Sequence, residues 1–371
     1  MEHPWRSPRF VDSSGLAAEP RRHETGLTAM HRGSRWVLVG LIAAITVGIG
    51  GLLRASGFEI APALQALVRG SLGSWYAIGS GTLIRATPLI LTGLAVAVAF
   101  RAGVFNVGAE GQFLVGAAGG TAIALMFPTL PSLLLLPAIL IVGAITGALW
   151  AWIAAVLRAR FHVLEVISTI MLNFIAAYLV SYLVRGPMQE PTHIYPQTAS
   201  ISAAARLPRF GAATRLHIGF AMAVMACLAA WWVIRHTAGG FRLRAVGANP
   251  QAARTAGQID VERVTTRAFL TSGALAGVAG AIEVCGVTYA LYENISPGYG
   301  YTAIAVALLA RLNAAAVIVT GVLFGALEAG ATAMQRDAGV PSVLVSVVEA
   351  GVILALVAAE RARVRLGATA A

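Results

Sequence analysis

Ten apolar runs recur along this 371-residue chain, at about 36–53, 82–100, 109–127, 132–157, 163–184, 216–235, 264–290, 301–311, 314–333 and 341–360. A hydrocarbon layer about 30 Å thick takes roughly 20 residues of helix to cross, so most of the runs are long enough to span it and 301–311 is not. Backbone N–H and C=O groups in lipid must be paired inside the protein, which leaves helices as the form these runs can take. The pattern predicts an all-α polytopic membrane protein of about ten transmembrane helices. A soluble domain is excluded by the surface it would need: only 12% of the residues are charged and the mean hydropathy is +0.77.

Residues 1–35 are polar, with prolines and six arginines, and are expected to be a disordered basic cytoplasmic tail. Met30 offers a second start just before the first run. Arg32 and Arg35 flank that run and no small-residue cleavage site follows, the pattern of an uncleaved anchor. The transmembrane domain is assigned to 36–360, and 361–371 to a cytoplasmic C-terminal tail.

The net charge of +11 comes from arginines at the termini and in short gaps between runs. That distribution fits an anionic cytoplasmic leaflet and argues against nucleic acid as a partner. Ten crossings put both termini inside, in agreement with Arg361, Arg363 and Arg365 and with Arg158 and Arg160 in a short inner turn. The loop 185–215 disagrees, since Arg185, Arg206, Arg209 and Arg215 then fall outside. The sequence contains no lysine, so it holds no phosphate-binding loop of the G-x-x-x-x-G-K-[ST] type. If ATP drives this protein, another chain binds the nucleotide. Cys227 and Cys285 sit in apolar runs without metal-ligand or disulfide spacing.

Several stretches break the apolar pattern. In "FRAGVFNVGAEGQFLVGA", 100–117, a helix is expected to end near Phe100 and a new one to begin at Ala109 or Glu110. Such a break is tolerated in a membrane only where it faces protein or a water-filled cavity. Asn106, Glu110 and Gln112 either cap and stitch helices there or border the path of a polar solute, and Glu110 would complement the positive end of the new helix. The fifth run carries Glu165, Ser168, Thr169 and Asn173 within an arc of roughly 140° at 100° per residue. A polar stripe of this kind either bonds a neighbouring helix or lines an aqueous passage, and the added Glu and Asn favour the passage. Glu283, Glu328 and Glu349 are further intramembrane acids, with Arg85, Arg101 and Arg311 as candidate partners. A proton-coupled carrier acting through Glu110, Glu165 or Glu283 is therefore an alternative.

The segment 236–263 is polar and arginine-rich. Asn249 reads as an N-cap, Pro250 as the first helical residue and Gly257 as a left-handed stop, predicting a two-turn helix too short to span. Tied at both ends to transmembrane helices, it can pass a push from another protein into the membrane; its plain alternative is an interfacial loop helix. An offset of 210 aligns "TGLAVAVAFRAG" from Thr92 with "TAIAVALLARLN" from Thr302, an echo of the internal repeats from which transporters are commonly built. No nucleophile–base pair, metal-ligand spacing or other catalytic constellation is present in the sequence.

Taken together, "ATPLILTGLAVAVAFRAGVFNVGAEGQFLVGA", "VLEVISTIMLNFIAAYLVSYLVRGP", "GFRLRAVGANPQAARTAGQ" and "SPGYGYTAIAVALLARLN" resemble the permease subunits of bacterial ABC importers of the branched-chain amino acid, ribose and simple-sugar superfamily, and within it the nucleoside importers that work with a basic-membrane-protein-type lipoprotein. The resemblance runs in order over about 36–360. It implies a ten-helix permease in the bacterial inner membrane, paired with a second homologous permease. It also implies cytoplasmic ATPase subunits that bind ATP and Mg, an extracytoplasmic substrate-binding lipoprotein, and a nucleoside or related sugar as cargo. No cofactor is expected in this chain. By the same resemblance the segment from Gly247 to Gly257 is the coupling helix that docks in the ATPase, with Gly247, Asn249, Pro250, Ala253, Arg254 and Gly257 as its residues. Alanines at 303 and 310 stand where relatives more often carry Gly or Pro. For a nucleoside, the amides and carboxylates of Asn106, Glu110, Gln112 and Asn173 suit ribose hydroxyls, and Phe105, Phe113, Phe174 or Tyr178 suits the base.

Overall fold

The structure is a computed structural model, and it describes residues 48, 50, 51, 54, 55, 57–211, 214–257, 259–341, 344, 347, 350 and 351. The tails 1–35 and 361–371, most of the runs at 36–53 and 341–360, and Glu349 lie outside the described residues. Eleven helices are named here in chain order: α1 (Ile60–Leu72), α2 (Ala77–Arg101), α3 (Ala109–Met126), α4 (Ser132–Phe161), α5 (Glu165–Arg185), α6 (Gly219–His236), α7 (Ala238–Ala248), α8 (Pro250–Gly257), α9 (Val261–Thr288), α10 (Tyr299–Leu309) and α11 (Ala316–Ala338). α2 opens and α9 closes with one π-helical turn, Ala77–Thr82 and Val284–Thr288.

Six of these helices, α2, α4, α5, α6, α9 and α11, are long and apolar enough to cross a membrane. The ten predicted crossings are thus not reached among the described residues, for identifiable reasons. Two runs lie mostly outside the description. α3 opens with "AEGQ", whose polar groups lower the hydropathy of an 18-residue helix, and α10 has only 11 residues. The short run at 301–311 takes two residues from the "SPGYGY" before it and forms an 11-residue helix, Tyr299–Leu309.

Burial sorts the six. α2 and α9 have 83% and 72% of their most apolar window inside the protein, against 22% for α4 and for α6. The first pair forms the centre of the bundle, and the second pair turns large apolar side chains such as Leu133, Ile141, Trp152, Met225 and Trp232 outward. α9 crosses α3 and α4 at glycines: a Cβ on Gly277 would lie 2.1 Å from the Gly143 carbonyl oxygen, and one on Gly116 2.2 Å from the Gly277 Cα. Helices in lipid gain nothing by hiding apolar surface from one another, so close backbone approach at small residues supplies the dispersion contacts that hold them.

The two ends of the bundle differ. At one end, the "α8 end", Gly247 packs on the Arg101 carbonyl, Arg101 Nη1 donates to the Leu312 carbonyl at 3.1 Å, and the turn between α4 and α5 lies beside α8. At the opposite end, the chain from 189 to 218 folds back over the end of α9: the Thr198 N–H donates to the Leu291 carbonyl, Ile201 N–H to Tyr289, and Leu207 N–H to Cys285. Arg185, at the end of α5, holds Glu293 through both carboxylate oxygens at 2.5 and 2.8 Å.

Candidate functional site

The break in the apolar pattern is a real break in the chain. α2 ends at Arg101, and the Val104 N–H closes it by donating to the Ala99 carbonyl, with Gly103 at φ 75° making the turn. The segment 102–108 then climbs back into the bundle, and α3 starts at Ala109. Ala102, Val104, Asn106 and Gly108 are buried. Gly103 and Phe105 between them are exposed, so the irregular backbone is shielded by protein at alternate residues.

Asn106 is the centre of that segment. Its Oδ1 accepts the Gly108 N–H at 2.9 Å and the Gln112 Nε2 at 3.0 Å; its Nδ2 donates to Gln112 Oε1 and to Ser272 Oγ on α9, each at 2.9 Å. Asn173 stitches the same region from α5: its Oδ1 accepts the Gly111 N–H at 2.8 Å, and its Nδ2 donates to the Val107 carbonyl and the Tyr301 hydroxyl. Ser168 and Thr169 return their hydroxyls to the Glu165 carbonyl one turn back. Glu165 pairs with Arg158 at 3.4 Å, and its Oε1 lies 3.5 Å from the Phe105 N–H.

Glu110 has a different role. It stands in the first turn of α3, and its Oε2 accepts the Gly300 N–H, in the first turn of α10, at 2.7 Å; the Ser296 hydroxyl donates to the same carboxylate. One buried carboxylate thus joins the positive ends of two helices that both begin inside the bundle. The approach is close: a Cβ on Gly300 would lie 2.2 Å from the Glu110 nitrogen.

All the predicted pathway residues therefore come together around the break. Asn106, Glu110, Gln112, Ser168, Thr169 and Asn173 are buried and bonded within the protein, and Glu165 is half-buried. What faces outward beside them is aromatic: Phe105, Phe174, Tyr178 and Tyr301 are 54, 54, 76 and 44% exposed. Phe113, by contrast, is fully buried, edge-on to Tyr299.

An open polar space lies toward the opposite end. A cavity of 550 Å³ is bounded by α2, α9, the 292–297 loop, α10 and α11, with Arg85, Glu283, Tyr292, Thr302 and Glu328 among its walls. Arg85 Nη2 donates to Thr332 Oγ1 at 3.3 Å, and Arg85 and Arg215 both act electrostatically on the buried Glu283. Glu283, Glu328 and Arg85 stand out in the sequence as intramembrane charges, whereas Ser272 does not, because its partner Asn106 lies far along the chain.

α8 has its expected residues and one unexpected end. Asn249 Oδ1 accepts the Gln251 and Ala252 N–H groups at 3.0 Å each, and its own N–H closes α7 on the Ala245 carbonyl. Pro250 opens the helix, and Ala253 is buried with Val246 and Val261. Arg254 is exposed and 3.8 Å from Glu262 on α9. Gly247 seats this unit against the bundle, since a Cβ there would meet the Arg101 oxygen at 2.0 Å. Gly257 is not the left-handed stop expected: it is the last helical residue and its φ is not positive, and the Ile259 N–H donating to the Ala253 carbonyl closes the helix instead.

Helices long and apolar enough to span, two helices joined inside the bundle at one carboxylate and a short capped helix at one end fit a polytopic membrane protein. The chain belongs to the family described as branched-chain amino acid transport system / permease component, whose model matches residues 79–357. It is 40% identical over 324 residues to the guanosine ABC transporter permease protein NupP of Bacillus subtilis, covering 86% of this chain and 92% of the relative. It is 39% identical over 330 residues to the glucose ABC transporter permease protein TsgB13 of Haloferax volcanii, covering 86% of each. To the nucleoside ABC transporter permease protein NupB of Lactococcus lactis subsp. cremoris it is 34% identical over 335 residues, covering 87% of this chain and 91% of the relative.

Proposed function

We propose that this permease subunit carries a nucleoside inward across the inner membrane, powered by separate ATPase subunits that engage α8. The observation that carries the reading is the mounting of α8: a two-turn helix with a polar, exposed Arg254 face, capped by Asn249 and continuing from α7, whose Gly247 is pressed onto the backbone where the broken segment begins. A displacement of α8 reaches 102–108 through that backbone contact, without a flexible side chain between. In this reading Gly247, Asn249, Pro250, Ala253, Arg254 and Gly257 form the coupling element. The α8 end is cytoplasmic, and ten crossings leave both termini there.

Asn106, Glu110, Gln112, Glu165, Ser168, Thr169 and Asn173 border the substrate pathway as its rigid polar frame. The outward aromatics beside them, with flat faces able to stack on a base, supply its surface toward a second, homologous permease. A substrate-binding lipoprotein delivers cargo to the opposite end, above the 550 Å³ cavity. The choice of nucleoside over sugar follows NupP and NupB; TsgB13 keeps a related sugar as the second candidate. The helix ends in the bundle and the repeated "T-A-V-A-R" spacing also fit an internal pseudo-repeat: Asn106 Oδ1 accepts the N–H two residues on, three residues before α3, and Asn313 Oδ1 does the same before α11.

The test is energetic. In the reconstituted complex, exchanging the phosphate-binding lysine of the partner ATPase should abolish nucleoside uptake and an ionophore should not. Uptake that follows the proton gradient and ignores ATP would overturn the reading in favour of a proton-coupled carrier. Of the three acids such a carrier would use, Glu110 and Glu165 are already bonded within the protein.

A further inference from the structure

A second large cavity lies away from the broken segment. It measures 660 Å³ and is a groove at the α8 end between α6, the start of α7 and α9, with Val98 of α2 at its back. α9 supplies one wall with Asp260, Val264, Arg267, Thr271 and Leu275, spaced at three and four residues and so on a single helix face. α6 supplies the other wall from Ala229 to Ile234, and Gly239, without a side chain, leaves room between them.

The groove changes character along its length. From Thr271 and Leu275 inward it is apolar; at its mouth stand Arg242, Arg263 and Arg267. Asp260 is the one acid in its lining, and it is already bonded to Arg263 at 2.9 Å. Arg242 and Arg267 are exposed and form no ion pair among the described residues. At 1.5 Å per residue the wall from Asp260 to Leu275 rises about 22 Å. One leaflet of hydrocarbon is about 15 Å deep and its headgroup layer about 6 Å more. Of that rise, the part from Arg267 to Leu275 is about 12 Å, within the hydrocarbon depth of one leaflet, and Arg263 and Arg267 stand at its mouth.

We propose that this groove binds one anionic phospholipid, its acyl chain lying along α9 and its phosphate held by Arg242, Arg263 and Arg267. A soluble protein partner would not reach the apolar part of a groove that lies within the hydrocarbon of one leaflet, as an acyl chain does. Three arginines against one paired acid select negative charge over a zwitterion. Because Gly257 and Ile259 also line the mouth, the lipid rests against the exit of α8.

The test is lipid binding by the purified full-length chain, read by native mass spectrometry with phosphatidylglycerol and phosphatidylcholine as probes, so it does not depend on what the protein transports. Phosphatidylglycerol should bind more tightly than phosphatidylcholine. Arg242→Gln with Arg267→Gln should weaken phosphatidylglycerol about thirtyfold, about fivefold for each arginine, and leave phosphatidylcholine unchanged. Ala229→Trp, which fills the groove and keeps the charges, should weaken it as well. Should the double variant fail to fold, Arg267→Gln alone should still show the fivefold loss. Equal affinity for the two lipids would overturn the proposal, as would binding that Ala229→Trp does not reduce. A crosslink from Ala229→Cys to residues 36–53 would overturn it too, by showing the groove filled by this chain's own first run.

Discussion

Glu110 decides how the break in the bundle is held. Its carboxylate is buried, and it accepts from the Gly300 N–H and the Ser296 hydroxyl. Removing it leaves a buried N–H unpaired at the start of one helix. Glu110→Ala is therefore expected to lower stability by about 2 kcal/mol, the cost typical of leaving a buried donor unsatisfied. Glu110→Gln, which keeps an acceptor oxygen, is expected to lose less. Thermal unfolding of the purified variants measures both, and uptake should fall only in proportion to folded protein. Full folding of Glu110→Gln with uptake lost would instead put this carboxylate in contact with cargo. At this scale the sequence was half legible. A carboxylate, an asparagine and a glutamine among glycines announced a buried polar knot, because nothing else justifies them between apolar runs. Their partners Ser272 and Gly300 were not legible, since they come from α9 and α10, more than a hundred residues away, and look like ordinary helix residues in their own neighbourhood.

Among elements, α8 was legible almost residue by residue because its signals are local. An N-cap asparagine followed by proline fixes the start of a helix through groups two and three residues apart. Its end was misread, since closure depends on the Ile259 N–H reaching back to Ala253, a choice that the glycine alone does not dictate. The start of α10 was illegible for a related reason: apolar content marks it as membrane-embedded, but only its contact with Glu110 makes it begin inside the bundle. Two turns of helix have no stability of their own in water, so α8 exists through its cap and its seat. Ala252→Pro removes one of the two cap N–H donors, costing about 1 kcal/mol locally, and forces Gln251 away from helical geometry. Uptake is expected to fall at least about tenfold, the factor that a loss of some 1.4 kcal/mol in coupling produces, with membrane insertion unchanged. Arg254→Glu gives up a surface pair worth at most about 1 kcal/mol and reverses the charge of the docking face, so it too should spare folding and lose stimulation of the partner ATPase. Normal uptake and ATPase activity in both variants would remove the coupling role.

In the whole molecule, every feature discussed above depends on one crossing. α3 carries Glu110 and Gln112, α9 carries Ser272 and Glu283, and α4 carries in its last turn the Arg158 that pairs with Glu165; these three helices meet where Gly116, Gly143, Gly147, Gly273 and Gly277 bring backbones into contact. A side chain there collides with main-chain atoms, which cannot turn aside as a flexible side chain would. A Cβ on Gly277 would lie 2.1 Å from the Gly143 oxygen and 3.0 Å from the Gly147 Cα, so the helices would have to part. Overpacking a dense core costs about 1–3 kcal/mol, and more where no rotamer relieves it. Parting also withdraws the dispersion contacts on which helix association in lipid depends. Gly277→Ala is accordingly expected to cost about 3 kcal/mol or more and to lower both the melting temperature and the yield of folded protein in detergent. Gly239→Ala is the matched control: it also lies in a helix, but its Cβ would meet only Thr237 Oγ1 at 3.7 Å, an ordinary contact. There the smaller backbone entropy loss of alanine should leave stability unchanged or raise it by up to about 1 kcal/mol. If the two variants melt alike, the crossing has slack, and the frame that positions the broken segment, the cavity and α8 against one another must be sought in side-chain bonds.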